Sequence, residues 1–158
     1  MSIEKQTVEL LKSKKLKLAT AESCTGGLIS KRITDVSGSS EVFEGGVVCY
    51  SNRFKENVLG VSLETLKKYG AVSRETAREM VKGVLSLTKA DIAVAVTGIA
   101  GPSSDDTNKP VGLVYIAVSD GKSTIVKKLL NNFTCDVREQ NRNISADTAL
   151  EMIMEAIR

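Results

Sequence analysis

A chain of 158 residues, 42% hydrophobic and 26% charged, has the make-up of one ordinary globular domain with a single proper core. Its net charge of +3 is scattered, and aromatics are 4% with no tryptophan, which argues against a dedicated nucleic-acid surface or base-stacking platform. Histidine is absent, which excludes a Ser-His-Asp triad, a Cys-His pair and a histidine-ligated zinc.

In chain order, Ile3 to Lys14 carries apolar residues between charges and predicts an amphipathic helix. Leu16 to Thr20 alternates toward a strand and runs into Glu22-Ser23-Cys24-Thr25-Gly26-Gly27. A helical pattern follows from Leu28 to about Val36, and Gly38-Ser39-Ser40 breaks it. Gly46 to Tyr50 reads as a buried strand. Asn52 to Leu59 and Ser62 to Tyr69 predict two short helices, closed by Gly60 and Gly70. Ser73 is a good N-cap for a helix reaching about Thr88. Ile92 to Val96 is an apolar strand ending in Thr97-Gly98-Ile99-Ala100-Gly101-Pro102. Val111 to Val118 and Thr124 to Leu130 flank Asp120-Gly121, a hairpin signal that makes these two strands antiparallel. Asn141 to Ile157 closes the chain as a helix. Early alternation and a late hairpin predict an α/β layered fold with a mixed sheet, a single domain over 1–158.

No apolar run reaches the roughly 20 residues of a membrane span, and Met1-Ser2-Ile3-Glu4-Lys5 lacks a signal peptide's layout. The expectation is a cytoplasmic protein without a membrane or nucleic-acid partner. Cys24, Cys49 and Cys135 are odd in number and far apart, and read as small core residues. With histidine excluded, any general base must be Lys, Tyr, Asp or Glu.

Three segments combine strand ends, glycines and hydroxyls. In Ser23-Cys24-Thr25-Gly26-Gly27 the glycines allow close backbone approach, and the following helix start favours an anion; Ser23 or Thr25 as a mere helix cap is an equal reading. The segment is not a P-loop, because no Lys-Ser/Thr follows. In the second segment, Ser40, Tyr50 and Lys55 fit a serine nucleophile activated by a lysine kept neutral by burial or by the helix start. Spacing alone favours the plainer reading of Ser40 as a cap, Tyr50 as a rim aromatic and Lys55 as a solvated charge. Tyr50 and Lys55 are five apart across a strand-to-helix junction, which rejects a short-chain dehydrogenase site. The third segment, Thr97 to Pro102 with the polar stretch to Lys109-Pro110-Val111-Gly112, is a long loop of the kind that binds ligands or moves. Cys24 as nucleophile is weaker, for want of a histidine.

Four ordered motifs carry a resemblance: Thr20-Ala21-Glu22-Ser23-Cys24-Thr25-Gly26-Gly27, Val48-Cys49-Tyr50-Ser51-Asn52 with Lys55, Thr97 to Pro102, and Lys109-Pro110-Val111-Gly112. Over essentially its whole length the chain resembles the CinA C-terminal domain family, the nicotinamide-nucleotide amidases of pyridine-nucleotide recycling, in their stand-alone form. The resemblance implies a three-layer α/β/α sandwich, a homodimer, and hydrolysis of the carboxamide of nicotinamide mononucleotide by a serine-lysine site without metal or cofactor. It places the catalytic serine on Ser40, the tyrosine on Tyr50 and the lysine on Lys55. Ser23, Thr25, Gly26, Thr97 and Gly98 fall along the substrate pocket. Two departures stand out. Ser103-Ser104-Asp105-Asp106 replaces glycines, which stiffens the loop and sets acids against a phosphate. The Gly-Asp-Arg segment appears as Cys135-Asp136-Val137-Arg138, so Arg138 becomes the phosphate-binding arginine, with Arg142 in reserve. In the implied mechanism Lys55 takes the Ser40 proton through Tyr50. The rivals are a nucleotide-binding module without turnover, which these departures favour, and an amidase for another small substrate.

Overall fold

Side-chain size alternates along the strands, and that alternation decides which helices cover which face. The computed structural model describes residues 1–158. Its five strands are β1 (Leu18–Glu22), β2 (Phe43–Val48), β3 (Ile92–Gly98), β4 (Leu113–Ser119) and β5 (Thr124–Leu130), in the sheet order β2-β1-β3-β4-β5. β1 runs parallel to β2 and β3, whereas β3-β4 and β4-β5 are antiparallel. The six α-helices are α1 (Ile3–Lys14), α2 (Leu28–Thr34), α3 (Asn52–Leu59), α4 (Leu63–Tyr69), α5 (Arg74–Thr88) and α6 (Val137–Ile157).

One face of the sheet carries the large residues Leu18, Ile92, Val94, Val96, Ile116 and Val118, packed under α1, α2 and α6. The other presents Ala19, Ala21, Ala93, Ala95 and Ala117 to Ala77, Met80, Val81 and Val84 of α5. Successive strand residues point to opposite faces, so Ile-Ala-Val-Ala-Val in β3 builds both layers at once. The alanine face lets α5 lie close. Gly83 then brings α3 onto α5 so tightly that a Cβ there would stand 1.9 Å from the Leu59 carbonyl oxygen. The result is the expected α/β/α sandwich with a mixed sheet.

Several boundaries move. β1 runs from Leu18 to Glu22, two residues later than expected, and β2, expected to be buried, alternates half-buried and exposed residues at the sheet edge. β2 begins at Phe43, because its pairing with β1 opens at Leu18 opposite Phe43, and Cys49 and Tyr50 lie beyond its end. α6 begins at Val137, a turn before Asn141, after Asp136 in a left-handed conformation at φ 45°. The β1-to-β2 crossover, α2, packs on the large-residue face, and the β2-to-β3 connection, through α3 to α5, on the alanine face. In the sheet order β2-β1-β3-β4-β5 the chain leaves β1 toward β2 and leaves β3 toward β4, so the connections part above the neighbouring carboxyl ends of β1 and β3 and open a crevice, where ligands of open α/β sheets bind.

Candidate active site

Ser23 is the first residue beyond β1, and its N–H donates to the Val96 carbonyl of β3 at 3.0 Å. The preceding Glu22 is fully buried, and its carboxylate accepts Ile29 N–H at 2.8 Å, Ser30 N–H at 3.0 Å and the Ser30 hydroxyl at 2.6 Å. The carboxyl oxygens thus satisfy free amides in the first turn of α2 and lock that helix to the strand end. Between them Gly26 and Gly27, at φ +58° and +101°, take the left-handed turn that residues with side chains adopt rarely.

Ser51 caps α3 through a 3.1 Å bond from Phe54 N–H, and Lys55 follows in the first turns of that helix. The Lys55 side chain folds inward and is 1% exposed. Its Nζ donates to the Cys49 carbonyl at 2.9 Å, the Tyr50 carbonyl at 3.2 Å and the Ser23 hydroxyl at 3.0 Å. Burial, which penalises the charged amine, holds its pKa below the usual lysine value; the nearby Cys49 and Cys24 pull weakly the other way. Burial also pushes the Cys24 thiol up to about 12 and raises that of Cys49. Both sulfurs are therefore protonated at neutral pH, and their pull on the lysine applies only at the high pH where they ionise. Cys24 and Cys49 are buried as expected, but Cys135, expected in the core, is exposed.

The lysine and serine form the floor of a cavity of about 240 Å³ whose walls include Tyr50, Val72, Thr97, Gly98 and Gly101, with Ser103, Ser104, Asp105 and Arg138. Thr97 donates its hydroxyl to the Ala71 carbonyl at 2.7 Å, and Lys109 Nζ donates to the carbonyls of Tyr69 and Val72. These ties hold the α4–α5 connection and the 103–110 loop against one wall. Across the mouth, Arg138 donates to the Gly101 carbonyl at 2.8 Å and to the Tyr50 hydroxyl at 2.9 Å. Asn141 donates to the Ala100 carbonyl at 2.9 Å.

The family model of the CinA C-terminal domain matches residues 1–157. The chain belongs to that family. It is 47% identical over 156 residues to a CinA-like protein of Thermotoga maritima, covering 99% of this chain and 37% of that protein. A CinA-like protein of Chlorobium phaeobacteroides is 45% identical over 161 residues, covering 99% and 38%. The chain spans about a third of the length of the curated relatives it matches. Among solved structures, the competence/damage inducible protein CihA from Agrobacterium tumefaciens aligns with a TM-score of 0.90 at 38% identity, over 100% of this chain and 98% of that one. A CinA superfamily protein from Klebsiella pneumoniae aligns with a TM-score of 0.93 at 30% identity, over 98% and 95%.

In this CinA domain the residues expected at the site separate. Ser23, Tyr50, Lys55, Thr97, Gly98 and Arg138 meet around the cavity. Ser40 does not. It is exposed in the short 3-10 turn Ser39–Glu41 before β2, whereas Tyr50 and Lys55 follow that strand. Six strand residues intervene, about 20 Å at a strand's rise. Lys17 Nζ ties this turn to the entry of β1 by donating to the Glu41 carbonyl at 2.7 Å. The serine that Lys55 touches is Ser23, directly and without the Tyr50 hydroxyl between them; that hydroxyl is bonded to Arg138 and to neither Lys55 nor a serine. Of the glycine turn, Cys24 lines the cavity beside Ser23, whereas Thr25 and Gly26 contribute no lining of their own. Arg142, held in reserve for a phosphate, donates instead to the Cys24 and Thr25 carbonyls. Burial, not the helix start, leads the lowering at Lys55. Sequence reasoning missed Glu22 as the buried cap of α2, although a carboxylate seven residues before Ile29 was in plain view.

Proposed function

We propose that the domain hydrolyses the carboxamide of nicotinamide mononucleotide to nicotinic acid mononucleotide and ammonia, with Ser23 as nucleophile and Lys55 as general base. The observation that carries this reading is the set of three contacts at Lys55 Nζ. A neutral amine has two N–H groups and one lone pair. In the neutral amine the carbonyls of Cys49 and Tyr50 keep the N–H groups, and the third contact reverses: the Ser23 hydroxyl donates to the lone pair from which the ammonium would have donated to it.

Ser23 Oγ bonds to the amide carbon while its proton moves to Lys55 Nζ. The tetrahedral oxyanion is met by backbone N–H groups of the turn, a contribution of about 3 to 4 kcal/mol per donor in such sites. The C–N bond breaks as Lys55 returns the proton to the leaving nitrogen, and ammonia departs. Water then adds to the acyl-enzyme, giving its proton to Lys55. The C–O bond to Ser23 breaks, Ser23 recovers the proton, and the acid is released. Arg138 at the mouth supplies the charge for a 5′-phosphate, and no metal enters.

Asp105 in the cavity wall favours a second reading, an amide that lacks a phosphate, because a carboxylate there opposes an anion. One experiment separates the readings: ammonia release from purified protein, with chelator present, on nicotinamide mononucleotide, its dephosphorylated riboside and nicotinamide alone. Nicotinamide mononucleotide is expected to be the best substrate. Faster turnover of the riboside supports the second reading, and tight nucleotide binding with no ammonia at any pH supports a binding module. Homodimer assembly belongs to the same proposal and is read by light scattering.

A further inference from the structure

Three peptide planes carry the chain from Ser23 into the glycine turn, and each is held by its carbonyl. The Ser23 carbonyl accepts Gly26 N–H at 3.1 Å. The Cys24 carbonyl accepts Arg142 Nε–H at 3.1 Å. The Thr25 carbonyl accepts Arg142 Nη2 at 2.9 Å and Leu28 N–H at 3.0 Å. In a trans peptide the N–H points opposite to the C=O, so pinning these oxygens also aims the amides of Cys24, Thr25 and Gly26.

The Gly26 amide is used within the turn. Those of Cys24 and Thr25 donate to no backbone carbonyl, although both residues are buried. The Thr25 hydroxyl, in the same turn, has no hydrogen-bond partner either. Buried amides are nearly always paired, so two free ones directly after a buried serine await an acceptor that arrives with the substrate.

We propose that Arg142 is a positioning residue for the reaction. From behind the turn it fixes the Thr25 amide directly, and it fixes the Cys24 amide through the Gly26 N–H that holds the Ser23 carbonyl, so that the turn running back from the cavity-lining Cys24 is a preformed seat for the oxyanion created when Ser23 adds to a carbonyl carbon. The proposal rests on the serine-lysine reading above. Arg142 touches carbonyls and does not line the cavity, whereas Arg138, one helical turn earlier on the same face of α6, does. A guanidinium spans two carbonyls with a rigid fork, which a lysine ammonium does not reproduce. Gly26 lies against that fork at ordinary contact distance, a Cβ there standing 3.4 Å from Arg142 Nη2.

The test measures kcat and KM on nicotinamide mononucleotide for wild type, Arg142→Lys and Arg142→Ala, with circular dichroism as the fold check. In parallel, Ser23 acylation by p-nitrophenyl acetate is followed by mass spectrometry. There the Oγ–acetyl bond forms, p-nitrophenolate leaves, and the serine proton passes to Lys55. This arm reads the oxyanion seat whichever amide is the natural substrate. Both variants are expected to lose about 100-fold in kcat with KM within a few-fold, and to slow acylation similarly. Millimolar guanidinium should partly restore Arg142→Ala and not Arg142→Lys. Should Arg142→Ala fail to fold, Arg142→Lys carries the measurement. Wild type inert to the nucleotide but acylated at Ser23, with slowed variants, keeps the role of Arg142 and sinks the nucleotide substrate. Unchanged acylation in folded variants overturns the proposal. So does a raised KM at unchanged kcat, which would make Arg142 a substrate ligand, and so does a wild type that neither substrate modifies at Ser23.

Discussion

The turn that leaves β1 and the turn that enters β2 are built from the same small residues, Ser23-Cys24-Thr25-Gly26-Gly27 in one and Gly38-Ser39-Ser40 in the other. They lie at opposite ends of one parallel strand pair. Ser23 is buried, carries a lysine on its hydroxyl and is tied to β3 through its amide. Ser40 is exposed in a 3-10 turn. Composition does not distinguish the two turns; strand direction does. In a parallel pair the two carboxyl ends coincide, so a residue after β1 meets a residue after β2, and a residue before β2 meets neither.

The largest effect expected from that contrast is in Ser23→Ala, which should cut kcat by at least roughly 10⁴-fold while nucleotide binding by calorimetry stays near wild type. A Ser23→Ala variant that still turns over, beside a dead Ser40→Ala, would reverse the comparison. Next comes Lys55. Both Lys55→Met and Lys55→Arg should lose about 10³-fold, since arginine keeps the charge but does not release its proton. In wild type the acid-side limb of the kcat/KM profile should report a group below the free-lysine value near 10.4. Substantial activity in Lys55→Arg would reduce Lys55 to a fixed charge.

The same lysine links pH to stability. Its folded pKa is lowered, so between the folded value and about 10.4 the unfolded chain holds more protons, and stability rises with pH across that window. Thermal melts should show wild type gaining on Lys55→Met as pH increases, and parallel curves would argue against the lowered value. A smaller effect is expected at Gly83→Ala, where the new Cβ meets the Leu59 carbonyl. A loss of about 1 to 3 kcal/mol, several degrees in Tm, follows from such overpacking. The smallest is Ser40→Ala, with stability within about 0.5 kcal/mol and kcat near wild type.

Much of the fold was legible because its signals are local. Ser73 and the Asp120-Gly121 turn mark their own elements, and the Ile-Ala-Val-Ala-Val alternation of β3 shows two buried faces in one run. The site was legible in part. Lys55, Tyr50, Thr97 and Arg138 stand in motifs, and they do converge. The choice between two serines was not open to spacing, because Ser40 is nearer to Lys55 along the chain and farther in space. Arg142 was hidden for another reason. It acts on carbonyls more than a hundred residues away, at Cys24 and Thr25, and main-chain acceptors leave no trace in side-chain identity. Glu22 was visible as a residue but not as a cap, since its partners lie across a turn whose shape depends on two left-handed glycines.

The placement of Lys55 has a consequence for how the protein wears out. Its helix is pressed onto α5 through Gly83, and α5 rests on the alanine face of the central strands. Many enzymes carry their reacting groups on loops that open long before the body of the protein does. Here the amine, carried by the short helix α3, is buried against the part that should exchange its amide hydrogens last, while the rim around Ser103 to Asp105 should exchange early. Partial heating should therefore loosen substrate capture first and leave the serine-lysine contact intact until global unfolding. Hydrogen exchange followed by mass spectrometry would show this as protected peptides spanning β1 and α5 beside an unprotected 103–108 segment.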